Sequence, residues 1–203
     1  MKKILYVLNI FILIILIRNY PFKDGDDELI DGIQTISKTN FEVDNNSIFT
    51  FTNDGFKCYL PNEPTIQELN THEMNGKHYF AIDSINYFVY SINITFNDAG
   101  SIADEYGNNE TYLTNYFDTY LNNAPLLIDP RIIKLSPIRF KSKYTGIEYQ
   151  IISNEIKSPS YQYGVIFIKD DNIFKIGINF WSKSKHLAEE KYKQLTATFD
   201  FLS

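Results

Sequence analysis

The sequence predicts an α+β fold, in which a single antiparallel β-sheet is covered by helices and follows an N-terminal apolar leader. Three observations support this prediction. Beyond about position 47, apolar and polar residues alternate over several short runs, which is the period of half-buried strands. Apolar residues recur at helical spacing in one mid-chain segment and again near the C-terminus. The charged start of the chain and the unbroken apolar run behind it predict the leader.

The leader is the segment Ile4–Ile17, which follows Lys2 and Lys3 and precedes Arg18. As a helix it would span roughly 21 Å, against about 30 Å for the hydrocarbon core of a bilayer. That length is typical of a signal peptide, yet no pair of small residues follows to form a cleavage site. We therefore predict either an uncleaved membrane anchor or a signal peptide in residues 1–19. Residues 20–46 are acidic and mixed, and we interpret them as a linker.

The folded domain is predicted to occupy residues 47–203. Asn86–Phe96 has the clearest alternation, because its aromatic and Ile residues fall on one face and its polar residues on the other. Pro137 cannot donate a hydrogen bond to a neighbouring strand, so its strand should lie at an edge or contain a bulge. The predicted strands are Phe56–Leu60, Ile66–Met74, Lys77–Asp83, Asn86–Phe96, Ile132–Phe140, Gly146–Ile152, Tyr161–Ile168 and Ile173–Trp181, the last two joined as a hairpin across Lys169–Asn172.

Asn75 and Gly76 predict a two-residue hairpin turn, because both residues tolerate positive φ angles. In that register Glu73 would pair with His78, and His72 with Tyr79. The two histidines would then point to opposite faces of the sheet, which argues against a shared metal site. We interpret Glu73 and His78 as a charge pair at the tip of the hairpin.

Two helices complete the predicted domain. Asn109–Asn123 has an apolar stripe, and Pro125 follows its end. Asn97–Asn108, just before it, is predicted to be a loop. The second helix is Ser184–Leu202, whose apolar residues lie on one face: Ala188, Tyr192, Leu195, Phe199 and Leu202.

This order of elements resembles the PsbP-like family, a fold shared by an extrinsic protein of the oxygen-evolving photosystem, a Ran-binding nuclear factor and many bacterial lipoproteins. The resemblance covers Ile48–Leu202. It implies a fold and a role as an accessory, binding or assembly factor, and it supplies no catalytic residues. The lipoprotein cysteine of many relatives is missing. The matching segments are Phe56–Pro61, Gly146 with Glu148 and Tyr149, Ile173–Phe180, and Thr198–Phe201.

Charge and cysteine content exclude several functions. The formal net charge is −6, and such a surface repels phosphates, so we predict no nucleic-acid partner. Cys58 is the only cysteine, which rules out an intramolecular disulfide. It shares a strand face with Phe56 and Leu60, and we interpret it as a small core residue.

The sequence contains no phosphate-binding glycine loop, nucleophile elbow or zinc-protease motif. We therefore predict no catalytic, cofactor-binding or metal-binding residues, and no cofactor. The expected function is an exported or membrane-tethered accessory module of the cell envelope, which binds a protein partner or a small ligand. Its candidate interaction surface is Tyr87, Tyr161, Tyr163 and Trp181. The alternative is a small hydrolase or transferase whose site is assembled from residues that are distant in sequence.

A reporter fusion tests the leader directly. Residues 1–25 should carry a soluble reporter to the membrane or across it, and Leu13→Lys should abolish that targeting. A lysine at the centre of an apolar segment costs about 3 kcal/mol on insertion, which this short segment can hardly spare. Fractionation and protease protection of the reporter are the measurements. A soluble, cytoplasmic reporter from the parent fusion would contradict the prediction.

Overall fold

The computed structural model describes residues 33–36, 41–70, 75–97, 100–122, 130–153 and 159–202. Within these ranges, alternating apolar residues form twelve strands. The predicted leader Ile4–Ile17 lies outside these ranges. The strands are β1 Ile33–Ile36, β2 Glu42–Val43, β3 Ile48–Phe51, β4 Phe56–Tyr59, β5 Thr65–Asn70, β6 Asn75–Asp83, β7 Phe88–Phe96, β8 Arg131–Phe140, β9 Tyr144–Ser153, β10 Ser160–Lys169, β11 Asn172–Trp181 and β12 Asp200–Phe201.

The described helices are short: α1 is Ile102–Tyr106, α2 is Asn109–Asn122 and α3 is Lys185–Thr198. Asn108 caps α2, because its side-chain oxygen accepts a hydrogen bond of 2.8 Å from the Thr111 amide. The prediction of a loop over Asn97–Asn108 is wrong in part, because α1 lies within that range. Within the described ranges, none of the helices is long and apolar enough to cross a membrane.

The predicted single sheet covered by helices is wrong. The strands form two antiparallel sheets, a large one in the order β1-β5-β6-β7-β11-β10-β9-β8 and a small one in the order β12-β4-β3-β2. The small sheet arises because β4 pairs with β3 on one side and with β12 on the other. Strands β1 and β2 lie within residues 20–46, the stretch interpreted as a linker.

The core lies between one face of the large sheet and a second layer made of the small sheet and α3. Phe56 and Phe51 of the small sheet contact the Tyr79 ring of β6 edge-on, at 5.1 and 5.0 Å between ring centroids. Cys58 is buried among these residues, as predicted, and its burial raises the pKa of its thiol. The predicted apolar face of the last helix also contributes, since Ala188, Tyr192 and Leu195 are buried.

An ion pair joins the two sheets of the sandwich. The Lys77 ammonium on β6 lies 2.6 Å from the Asp54 carboxylate, which precedes β4, and 3.2 Å from that of Glu68 on β5. The Asp54 side chain is almost buried, so the lysine compensates a charge that would otherwise be costly to desolvate.

The opposite face of the large sheet is covered differently. Helices α1 and α2 pack against β9 and β10 through a second apolar cluster, which includes Ile102, Leu113 and Ile147. Farther along the same face, buried polar side chains of β5, β6, β7 and β11 lie beside a small apolar cluster of Phe80, Val89 and Ile82. The core face of the sheet is therefore mainly apolar, whereas the opposite face changes from apolar under α1 and α2 to a mixture of buried apolar and polar side chains.

The predicted register of the β5–β6 hairpin is wrong. Asn75 and Gly76 are the first residues of β6, and Asn75 pairs with Asn70. A glycine is needed at position 76 for another reason. The first side-chain carbon of any other residue there would lie 2.8 Å from the Ile94 carbonyl oxygen of β7. The connection falls in residues 71–74, outside the described ranges, as do His72 and Glu73.

Other sequence predictions are confirmed. Lys169 pairs with Asn172, and the two aspartates between them have φ angles of 50° and 58°, which suit a tight hairpin turn. The strand that contains Pro137 is the edge strand β8, and its register shifts between Ile132 and Lys134.

The C-terminal helix is shorter than predicted: α3 ends at Thr198, and the chain continues as β12.

Candidate functional site

Exposed apolar side chains gather at the turn between β6 and β7. Ile85 is 84% exposed and Tyr87 is 46% exposed. Phe88 pairs with Phe180, so Tyr87 and Trp181, which is half-buried, lie at the same end of β7 and β11. Lys183 follows on the next turn. We call these four residues, Ile85, Tyr87, Trp181 and Lys183, the aromatic rim.

Hydrogen bonds make this turn rigid. The Asp83 carboxylate accepts from the amides of Ile85 and Asn86, at 3.1 and 3.0 Å, and from the Asn86 side chain at 2.8 Å. The Ser184 hydroxyl, which comes just before α3, donates to the Asn86 carbonyl at 2.6 Å. The exposed Ile85 therefore sits on a backbone that is fixed from both sides.

Tyr87 is held in an unfavourable backbone conformation. Its φ angle is 60°, in the left-handed region, which costs a bulky residue about 1 kcal/mol. The Lys183 ammonium lies 3.1 Å from the centre of the Tyr87 ring, in a cation–π contact. Strained residues that the surrounding structure keeps in place are found most often at functional sites.

The structure divides the predicted surface of Tyr87, Tyr161, Tyr163 and Trp181 between the two faces of the sheet. Tyr161 is 9% exposed and stacks on Phe180 at 5.4 Å. Tyr163 is half-buried and contacts the same ring edge-on at 4.9 Å. Both tyrosines lie on the core side with Phe180, whereas Trp181, one residue later, lies on the other side. Of the four predicted residues, only Tyr87 and Trp181 therefore belong to the rim.

Polar residues, of which the sequence analysis singled out His78 alone, form a buried row on the second face. Gln67, His78, Asn93 and Lys175 occupy paired positions on four neighbouring strands. All four are buried, and His78 is 1% exposed. The predicted placement of His78 at a hairpin tip is therefore wrong. Its interior position follows from the register, which pairs it with Gln67 rather than Glu73.

Ser91 lies next to the row and forms a serine–histidine pair with His78. The His78 Nε2 atom lies 3.0 Å from the Ser91 hydroxyl oxygen. That oxygen accepts a hydrogen bond of 2.9 Å from the side-chain amide of Asn93. A base beside a hydroxyl is the arrangement that nucleophilic catalysis uses. Here, however, burial and the nearby Lys175 charge lower the pKa of His78 to about 3, and burial lowers that of Lys175 to about 8. An imidazole with so low a pKa is a weak base, and Ser91 is itself buried.

The described residues offer no metal site, since they contain no cluster of three or more histidine, cysteine, aspartate or glutamate side chains that could hold an ion. His186, the remaining histidine of the described ranges, is exposed on α3 and far in sequence from the row. The rim is thus the part of this region that solvent and a partner can reach.

Comparison with known proteins gives a fold and no family. No protein-family model matches the chain, and no curated protein sequence does. Among solved structures, cyanobacterial PsbP (CyanoP) from Synechocystis sp. PCC 6803 aligns with a TM-score of 0.50 and 11% identity, over 90% of this chain and 99% of that one. PA94 from Pseudomonas aeruginosa, a protein of unknown function, aligns with a TM-score of 0.41 and 12% identity, over 66% and 93%. The PsbP-like resemblance seen in the sequence is confirmed at the level of the fold.

Buried His78 predicts a specific pH dependence of stability. The unfolded chain binds a proton at this residue below about pH 6.5, whereas the folded protein resists it until about pH 3. The free energy of unfolding should therefore fall as the pH drops through this window, by up to about 1.4 kcal/mol per unit from this group. His78→Gln should flatten that slope.

Urea unfolding at several pH values between about 7 and 4 measures the effect. His186→Gln, at an exposed position, is the matched control and should keep the parent slope. If His78→Gln and the parent lose stability equally over this range, the assigned burial of His78 is wrong.

Proposed function

We propose that this chain is an accessory binding module, tethered on the extracytoplasmic side of a membrane by Ile4–Ile17, which docks onto an envelope protein through the aromatic rim. The observation that carries the proposal is the exposure of Ile85 and Tyr87 on a rigid turn. An exposed isoleucine is unremarkable on its own, but here it precedes the exposed Tyr87 by two positions in a hydrogen-bonded turn.

The energetics of association favour such a surface. Binding a flexible loop requires ordering it, which costs about 0.5–1.5 kcal/mol for each immobilised side chain. The hydrogen bonds of Asp83 and Ser184 have already ordered this turn. Tyr and Trp are also the residues that most often dominate the binding energy of protein interfaces.

The charges around the rim indicate the chemistry of the partner. Lys183 lies over the Tyr87 ring, and its ammonium group is the positive charge of the rim. The nearby Asp83 carboxylate is already engaged by the turn. We infer a partner surface with an apolar pocket for Ile85 and carboxylates at its border, since opposite charges at the edge of an interface promote encounter and orientation.

The proposed location rests on the sequence. Lys2 and Lys3 precede the apolar segment and favour its N-terminal end in the cytoplasm, which puts the domain on the other side. A tether also raises the local concentration of a module near a membrane partner, so a modest intrinsic affinity is enough.

Site-specific photo-crosslinking in the full chain tests the docking surface. A photoreactive residue at position 85 should form an adduct with one membrane protein in the native cells. The same residue at Val43, which is also exposed but belongs to the small sheet, should not. Tyr87→Asn should weaken the adduct about tenfold, because it removes the ring while keeping a residue that tolerates positive φ.

His186→Ala is the matched control for loss of an exposed side chain and should leave the adduct unchanged. Circular dichroism and thermal melting should confirm that every variant folds. Equal adducts from positions 85 and 43, or an adduct that Tyr87→Asn does not affect, would contradict the proposal.

A further inference from the structure

A second concave surface lies on the face of the large sheet opposite the core. It is a cleft of about 590 Å³ between the start of α2 and the β8–β9 hairpin. That volume falls within the range of about 300–1,000 Å³ that is typical of small-molecule sites. The residues that line it are Ala103, Asn108, Asn109, Glu110, Leu113, Pro137, Ile138, Arg139, Thr145, Gly146 and Ile147.

The interior of the cleft is apolar. Leu113 of α2 and Ile147 of β9 are buried and belong to the cluster that fixes α2 on the sheet. Gly146 lies between Thr145 and Ile147 and contributes no side chain. A side chain at that position would clash with β10, because its first carbon would lie 2.7 Å from the Ile166 carbonyl oxygen. The apolar lining that a ligand can reach includes Ala103 and Pro137, since Leu113 and Ile147 are almost fully buried.

Opposite charges occupy the two walls. Arg139 lies on β8, and its guanidinium donates a hydrogen bond of 2.9 Å to the Thr145 hydroxyl, which fixes its direction. Glu110 lies in the first turn of α2, on the other wall. Neither Arg139 nor Glu110 forms an ion pair with another described residue. Their remaining donors and acceptors are available to a ligand.

An unsatisfied acceptor adds a third polar group. The Asn109 side-chain oxygen is buried and has no hydrogen-bond partner among the described residues. Leaving a buried acceptor unpaired costs about 1–3 kcal/mol, so most such atoms have a partner. The neighbouring Asn108 oxygen is used by the helix cap, whereas that of Asn109 requires a donor from elsewhere.

We propose that this cleft binds a free amino acid or a short peptide with an apolar side chain. The ligand carboxylate pairs with Arg139, its ammonium group donates to Glu110 and to the Asn109 oxygen, and its side chain packs on Ala103 and Pro137. The complementarity has two signs, which distinguishes this ligand class from a simple anion or an apolar molecule. The site is separate from the aromatic rim and does not depend on the docking function.

Calorimetric titration of the full chain with four probes tests the proposal: L-leucine, N-acetyl-L-leucine, L-leucinamide and the dipeptide Leu-Leu. Leucine or Leu-Leu should bind, and removal of the charge at either end of leucine should weaken binding about tenfold or more. Comparison of leucine with Leu-Leu distinguishes a single residue from a peptide as the preferred ligand.

Two variants separate the roles of the walls. Arg139→Gln should weaken the binding of leucine about tenfold, to an affinity similar to that of the parent for leucinamide, which lacks the carboxylate. Glu110→Gln should likewise weaken it to an affinity similar to that of the parent for N-acetyl-leucine, which lacks the ammonium group. Arg131→Gln on the same strand and Glu105→Gln on α1 are matched controls and should bind like the parent. Tyr87→Asn should also bind leucine normally, which separates this site from the rim.

Absence of binding of both leucine and Leu-Leu to the parent at millimolar concentration would overturn the proposal. So would equal binding of leucine, N-acetyl-leucine and leucinamide, because the two charged walls would then have no part in recognition.

Discussion

The packing of Phe199 is the interaction on which the rest of the structure depends. This residue is fully buried at the end of α3, and its ring contacts Phe56 of the small sheet at 5.4 Å and Phe140 and Phe167 of the large sheet at 6.1 and 6.2 Å. Next to it, the Thr198 hydroxyl accepts a hydrogen bond from the Tyr59 amide of β4. One short segment thus joins a helix and two sheets. With a single cysteine, the chain has no intramolecular disulfide to share that task.

This arrangement determines where a partner or ligand can bind. One face of the large sheet is filled by the core, and its second face carries either packed helices or the buried polar row around His78. The accessible features are at the margins: the rim at the β6–β7 turn, and the cleft between α2 and β8. Both are concave or exposed surfaces on rigid elements, which is the property expected of a binding module, and they differ in chemistry. The rim suits a protein, and the cleft suits a small zwitterion.

Residue patterns predicted most strands and failed where pairing decided the outcome. Period-2 alternation located β7 and β11, because each has one apolar face and one face with polar residues, although both faces are buried. It missed β2 and β12, which have two residues each and exist only because β3 and β4 pair with them. The Asn75-Gly76 pair fits a tight turn, but Gly76 serves close strand packing instead. That error in register hid the burial of His78. For the rim, the sequence identified Tyr87 and Trp181, but only the pairing of Phe88 with Phe180 shows that they lie at the same end of β7 and β11.

The unfolding free energy of a Phe199→Ala variant tests this account most directly. If Phe199 joins both sheets to α3, its truncation should cost about 3–5 kcal/mol in urea unfolding, with loss of the whole domain in one transition. Val43→Ala, at an exposed position of the small sheet, should cost little. A loss below about 1 kcal/mol for Phe199→Ala, or a small sheet that melts separately while the large one persists, would contradict the central role of this residue.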